Sequence, residues 1–506
     1  MADSQISIAQ HYHDRTKYDP QTLSQSSRAF DFSTQPPNCK EYKIGTQLDL
    51  KPYLNQPAED IPTQKTLQRL SYLLYHSYGI TGMVPYPGQP FYMRAAPSAG
   101  GLYPAELYVI ARDQKYLSPG LYNYQVQTHS LCHFWSDHVW SALEEACLWH
   151  PALRATQLAI VITAVFYRSA WRYEDRAYRR IFLDSGHLLG NLELVADLLD
   201  YRAHQIGGFW DESLNQMLYL DEQQEGAIAV IALADLLEVD QNLPQTPTTL
   251  PSETDTTYPA IKDGTLLPYC HHATQIHSAE QIYSTDVPQH STLDKYNFPF
   301  CQKFSTDCPP IDWGQQGMAL LETIRQRRST RRYTGEALST EELLSILDFT
   351  YHPENYAAQG FDAVPDFFDL SLVETFVAVS DVKGLEAGCY YYAVHAQELR
   401  QIRFNNFRRE LYHLCLMQDL GRDAAAVIFH TANLSTAIER HGDRAYRYLH
   451  MDAGHLGQRL NLAAIHLDLG VSGIGGFFDN QVNELLDIPP EEAVLYITTL
   501  GRSATA

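Results

Sequence analysis

The sequence predicts an α+β chain in which one domain occurs twice, the copies packing on each other as an intrachain pseudo-dimer. Three observations predict it: a long internal repeat, short strand-like apolar runs in each copy, and one long amphipathic helix pattern per copy. "EDRAYRRIFLDSGHLLGNLELVADLL" at 174 returns as "GDRAYRYLHMDAGHLGQRLNLAAIHL" at 442, an offset of 268. The same offset aligns "IGGFWDESLNQML" at 206 with "IGGFFDNQVNELL" at 474, and "GLYNYQVQTHSL" at 120 with "GCYYYAVHAQEL" at 388. A single register held over so long a span marks a duplicated structural unit.

Bulk properties agree. The chain has 506 residues, 45% hydrophobic and 19% charged, room for about two to four domains with their own cores. A net charge of -23 opposes any broad nucleic-acid footprint. No apolar run reaches the roughly 18 residues of a membrane span, and the first twenty residues lack the apolar core of a signal peptide. The eight cysteines are scattered. Together these features lead us to expect a cytoplasmic protein with no nucleic-acid or membrane partner.

In chain order, residues 1–60 read as an N-terminal extension, 61–239 as the first domain, 240–312 as a connector and 313–506 as the second domain. Strand-like runs are "AELYVIA", "LAIVITAVF" and "AIAVIAL" in the first copy, and "FVAVS", "AAVIFHTA" and "AVLYITTL" in the second. Over 184–199 a helical face carries Leu188, Leu192, Val195 and Leu199; over 452–467 it carries Leu456, Leu460, Ala463 and Leu467. These stripes are expected to cover each other across a pseudo-twofold axis. His187 and His455 read as packed, hydrogen-bonded helix histidines. The connector is rich in Pro and Thr and is expected to be irregular. Its Cys270, His271 and His272 lack the spacing of a zinc site, so no metal is expected and the stretch reads as surface loop.

The motifs are more specific. "RAAPSAGGLYPAE" begins at Arg94, and Ala95 to Gly101 are small apart from Pro97, which suits close approach by a flat group. "RQRRSTRRYTGEALSTEELLSIL" at 325 and "GIGGFFDNQVNELLDIPPEEAVLYITTLGR" at 473 open and close the second copy. These pieces, with "YHDRTKYD" at 12–19, resemble the nitroreductase superfamily and its SagB-type branch, which includes azoline dehydrogenases. The resemblance covers most of the chain and assigns the 1–60 extension to the SagB type. It implies FMN at an interface between subunits. Arg94 and Pro97, Ser98, Ala99, Gly100 and Gly101 would lie against the flavin ring. Arg327, Arg328, Ser329 and Arg331, with Gly475, Gly476 and Arg502, would hold the rest of the cofactor. Ser98 would add an adjustable donor to the ring.

The repeat register then divides these parts. Pro97–Gly101 falls on Pro365, Asp366, Phe367, Phe368 and Asp369, too bulky and acidic for a flavin platform, while Glu106 still meets Glu374. The arginine run falls near Tyr53 to Pro57, and Arg502 falls near 233–236, without basic counterparts. The losses are complementary, so one composite site is expected where a homodimer would have two. SagB-type dehydrogenases resemble one another in a Lys-Tyr pair ahead of the long helix. Here Arg172-Tyr173 stands there, and Arg440-His441 in the second copy. Arginine cannot act as a base, so Tyr173 would shuttle the proton with Arg172 lowering its pKa, or Arg172 would orient an anionic substrate. His441 is a second candidate acid or base. Three readings stay open: an FMN-dependent SagB-type dehydrogenase of a small or peptide-borne substrate, an NAD(P)H-dependent nitro- or quinone-reductase, and a degenerate flavin-binding scaffold.

Overall fold

The computed structural model describes residues 6–25, 31–55, 62–85, 90–112, 116–237, 246–277 and 294–504. Gln56 and Pro57, at the end of the stretch that the register sets against the arginine run, lie outside them.

Each half is built on a seven-stranded antiparallel sheet. The first comprises β1 (Thr46–Asp49), β2 (Ala105–Ala111), β3 (Gly120–Gln125), β4 (Ser130–Trp135), β5 (Leu158–Val165), β6 (Tyr201–Ile206) and β7 (Glu225–Asp235). Its order is β1-β4-β3-β2-β5-β7-β6. The second comprises β8 (Lys303–Ser305), β9 (Glu374–Val379), β10 (Gly388–Ala393), β11 (Glu398–Phe404), β12 (Ala426–Asn433), β13 (Gly470–Ile474) and β14 (Glu492–Gly501). Its order, β8-β11-β10-β9-β12-β14-β13, is the same topology. The middle strands are apolar on both faces because both faces are covered. Alternation sends Leu107, Val109, Ile160 and Ile162 toward the long helices, and Tyr108, Ile110 and Val161 toward a smaller outer cluster with Val139, Trp140 and Leu214.

Between the sheets run the long helices, α2 (Ala177–Leu198) and α4 (Ala445–His466). They cross at a pair of pseudo-equivalent glycines. A Cβ on Gly186 would stand 2.1 Å from the Met451 carbonyl oxygen, and one on Gly454 would stand 2.3 Å from that of Leu183. The pseudo-dimer is thus closed by backbone-to-backbone approach, which only glycine permits at this distance. Both helices begin seven residues before the apolar stripe. The first turns are rich in arginine, and those arginines are buried.

What buries them is a pair of reciprocal clasps. Asp479 of the second half pairs with Arg176 (2.9 Å) and Arg179 (2.6 Å) of the first; Asp211 of the first pairs with Arg444 (2.7 Å) and Arg447 (2.8 Å) of the second. Each clasp is completed by a short helix: α1 (Ile8–Arg15) in one case, α3 (Leu266–Ala273) in the other. Arg179 bonds Thr16 Oγ1 and the His13 carbonyl; Arg447 bonds Thr274 Oγ1 and the His271 carbonyl. Tyr18 N donates to Asp479 and Ile276 N to Asp211. The expected surface loop at 270–277 is therefore corrected. Cys270 and His271 sit buried on α3, because Arg447 needs acceptors there. Among the described residues no helix is long and apolar enough to cross a membrane.

Candidate active site

A pocket of about 700 Å³ opens where the halves meet. From the first half come Pro97 to Gly101, Arg180, Asp184 and His187; from the second come Arg327, Arg328, Ser329, Arg331, Gly473, Gly475 and Tyr496. The two motif groups that the sequence places in different halves thus share one cavity.

The Pro97–Gly101 loop is held from below by Asp184 on α2. Ser98 Oγ donates to Asp184 (2.5 Å), the Ala99 N–H also reaches it (3.1 Å), and Tyr103 N donates to Ser98 Oγ (2.9 Å). This corrects one expectation: the Ser98 hydroxyl proton is spent on Asp184 and is no adjustable donor toward the pocket. Burial pushes the Asp184 carboxyl up to about 7 despite these bonds. Gly100 and Gly101 both have φ of +66°, the left-handed region. A Cβ on Gly100 would stand 2.9 Å from Tyr173 Oη, and one on Gly101 2.4 Å from the Phe91 ring. Loop backbone and aromatic neighbours fit only without side chains.

On the opposite wall, the helix Met318–Gln326 ends at Arg327. Thr330 pins the arginine turn to β13 by a bond each way with Val471 (2.8 and 3.0 Å). Arg327 is buried; its Nε donates to the Ala95 carbonyl (2.7 Å) and Nη2 to the Arg94 carbonyl (3.1 Å), while Nη1 has no partner. Burial lowers its pKa to about 10, so it remains charged at neutral pH. Arg328 is engaged with Thr81 and the Arg325 and Arg327 carbonyls, and Arg331 is exposed at the rim. A cation with a free donor, sharing a cavity with a wall of small residues that ends in two glycines, suits a flat group with an anionic end.

Other expected site residues stand nearby or elsewhere. Arg94 is buried behind the loop, stacked on Tyr78 (4.4 Å) and Tyr103 (4.8 Å). Gly475 leaves open room, its nearest neighbour being Arg180 Nε at 3.5 Å from a Cβ there; Gly476 faces Leu416, Arg180 and Tyr18. Arg502 pairs with Glu342 (2.8 Å), which caps the helix Thr340–Tyr351, and does not line the pocket. Tyr173 Oη lies behind Gly100, with Arg172 beside it. Burial raises the Tyr173 pKa; Arg180 and Arg172 both act to lower it, as expected of Arg172, but do not offset the burial.

His441 does not reach the pocket. It bonds Asp369 (2.8 Å) together with Arg440 (2.8 Å), at the pseudo-equivalent position in the other half. That position is filled. Phe367 stacks on His455 (4.2 Å, 25°), Phe368 stacks on Tyr448 (5.1 Å, 20°), and Thr248 of the connector bonds the carbonyls of both phenylalanines. Asp452 still holds the backbone there, accepting from Phe368 N (2.9 Å) and Asp369 N (2.7 Å), as Asp184 does opposite.

Sequence reasoning missed Asp184, Arg180, Tyr18 and Tyr496, and took His187 only as packing. His187 is hydrogen-bonded as expected, to Gln458 (2.8 Å) and Tyr496 Oη (2.9 Å), and burial lowers it to about 3, so it is neutral. Asp184 was findable, because Asp-x-Gly-His recurs at 184 and 452.

The nitroreductase family model matches residues 64–233 and 324–502. A nitroreductase-named protein of Methanocaldococcus jannaschii is 33% identical over 183 residues, 36% of this chain and 90% of that protein. The trifolitoxin-processing protein TfxF of Rhizobium leguminosarum bv. trifolii is 28% identical over 172 residues, 32% of this chain and 58% of its own length. A crystal structure of a protein from Anabaena variabilis ATCC 29413, described as a nitroreductase, superposes with a TM-score of 0.93 at 62% identity, covering 99% of this chain and all of that one.

Proposed function

The chain belongs to the nitroreductase family, as an oxidoreductase with two copies of the domain, and from that premise we propose that it binds one FMN in the composite pocket. The observation that carries this is the pairing of Arg327, with its unpartnered buried Nη1, and the Pro97–Gly101 loop across one cavity, while the pseudo-equivalent cavity is filled. Arg327 and Arg331 would hold the phosphate, with Arg328 and Thr330 fixing their turn. The backbone of Ala99 to Gly101 and of Gly475 would border the ring, and Asp184 would hold that loop in place. Bound there, FMN supplies hydride chemistry at its N5 position.

The chain's own residues govern placement and protons. Tyr173, protonated at neutral pH and with its pKa raised further by burial, would serve as a proton donor behind Gly100. Neutral His187 fixes Tyr496 from the first half to the second. Within this reading a SagB-type dehydrogenation of a peptide-borne substrate is favoured by the similarity to TfxF and by the Tyr12–Asp19 segment docked beside the pocket. Arg172 in place of lysine removes one possible base from it. Flavin extracted from the folded protein and quantified against chain concentration tests the proposal. One per chain is expected, and two per chain would overturn the composite site. Bleaching of the bound flavin by NAD(P)H would favour the reductase reading over the dehydrogenase.

A further inference from the structure

Arg180 is the feature that the flavin reading does not use. It lies on α2 one turn before Asp184 and is 4% exposed, yet it borders the pocket. Its guanidinium carbon sits 3.8 Å from the centroid of the Tyr173 ring and 5.9 Å from that of Tyr18. Nη2 makes one long bond to Tyr18 Oη (3.4 Å), and Nη1 is buried without a partner. Nε lies on the side of Gly475, where the wall is open.

The other arginines at the starts of these helices each meet a carboxylate: Arg176 and Arg179 meet Asp479, and Arg444 and Arg447 meet Asp211. Among the described residues Arg180 meets none. Asp184, its neighbour along the helix, has spent its oxygens on Ser98 and Ala99. Asp184 feels the Arg180 charge, but its carboxyl is pushed up to about 7 and makes no ion pair with it; a buried guanidinium so weakly countered costs several kcal/mol, so such a group is explained when something outside the chain completes it.

The duplicated half supplies an internal control. Tyr448 stands where the register puts Arg180, and Phe368 lies flat on it. Gly207, the counterpart of Gly475, is closed by Phe368 and Tyr448, both 2.6 Å from where its Cβ would be. The cation is present where the cavity is open and absent where it is filled. In a chain of net charge -23 a small anion needs such a local cation to be held at all.

We propose that Arg180 is the binding residue for an anionic group of the substrate, a carboxylate that the planar guanidinium can meet with two parallel bonds. The inference rests on the composite pocket being the active site and names the class of molecule that enters it: an oxidisable or reducible compound carrying a carboxylate.

The test compares 4-nitrobenzoate with its neutral isostere 4-nitrobenzamide, titrated into the flavin-loaded protein, Arg180→Gln and Arg180→Lys. Dissociation constants are read from perturbation of the flavin absorbance, and flavin content and thermal midpoint are measured on the same samples. The wild-type protein should prefer the anion by about tenfold, the measure of one charge-assisted interaction. Arg180→Gln should lose that preference while binding the amide unchanged, Arg180→Lys should keep part of it, and all three should carry the same flavin. Equal binding of the two probes by the wild type, or a preference that survives Arg180→Gln, would overturn the proposal. So would flavin loss in Arg180→Gln, which would place Arg180 on the cofactor. If the wild-type protein takes up no flavin, the flavin reading fails by itself. The same titration read by thermal midpoint then still decides whether Arg180 selects the anion.

Discussion

Asp184 and Asp452 hold the same backbone turn in the two halves, and burial pushes their carboxyls up to about 7 and about 8. Folded-state values above the ordinary 3.8 mean that the folded chain keeps protons there that the unfolded chain has released. Their contribution to stability is therefore full below about pH 4 and is lost as pH rises toward about 8. Asp184→Asn combined with Asp452→Asn should flatten this part of the decline, seen as a thermal midpoint that varies less between about pH 5 and about pH 8. Tyr173 gives a second residue-scale test. Tyr173→Phe should retain flavin, because the hydroxyl faces Gly100 and not the cofactor's anionic end, yet slow a proton-coupled half-reaction by about a hundredfold. Stopped-flow rates beside flavin content would check this; an unchanged rate would remove Tyr173 from proton transfer. Neither carboxylate was legible as a loop clamp, because each sits in a helix whose apolar stripe dominates the pattern. Only their recurrence at one register marks them.

At the scale of elements, the stripes on α2 and α4 were legible and their starts were not. Arg176, Arg179, Arg444 and Arg447 look like a solvated helix end, and their partners Asp479 and Asp211 lie hundreds of residues away in sequence. The crossing point was legible only as a shared glycine. Gly186→Val should destabilise the fold by about 3 kcal/mol, since its Cβ would meet the Met451 carbonyl and backbone there cannot yield. Denaturant midpoints would show it, and a change within about 0.5 kcal/mol would mean that the helices can slide apart at no cost. The loop behaves differently. Gly100→Val should lose flavin for two reasons: a φ of +66° and the Tyr173 hydroxyl 2.9 Å from the new Cβ. Phe368→Val, in the filled half, should leave flavin content unchanged. Loss in both would put the ring-binding loop in the wrong half.

Across the whole molecule, the duplication extends beyond the segments that the fixed register of 268 aligns. Thr16 and Thr274 do the same work, as do His13 and His271 through their carbonyls, at an offset of 258 (16 to 274) where the domains keep 268. The connector therefore carries, at Leu266–Ala273, a second version of the N-terminal helix. A length change between helix and domain hid it, and its Pro- and Thr-rich lead-in reads as loop. The two clasps are equivalent in charge and burial but not in surroundings. Beside Asp479 stand Tyr18 and Arg176, in contact with each other (4.1 Å), and Tyr18 is in turn bonded by Arg180 at the pocket. Beside Asp211 stands α3, which borders a separate cavity of about 500 Å³ that shares no lining residue with the composite pocket. Removing either aspartate leaves two buried guanidinium groups short of a counter-charge, so Asp479→Asn and Asp211→Asn should each cost about 3–5 kcal/mol of stability. Only Asp479→Asn should also weaken ligand binding in the composite pocket, because only there does the clasp position groups that border it. The check is a denaturation midpoint and a 4-nitrobenzoate titration on both flavin-loaded variants. Equal loss of 4-nitrobenzoate binding would mean that the clasps act on the two halves as a whole, and the division between an open half and a filled half would then lie in the loops alone.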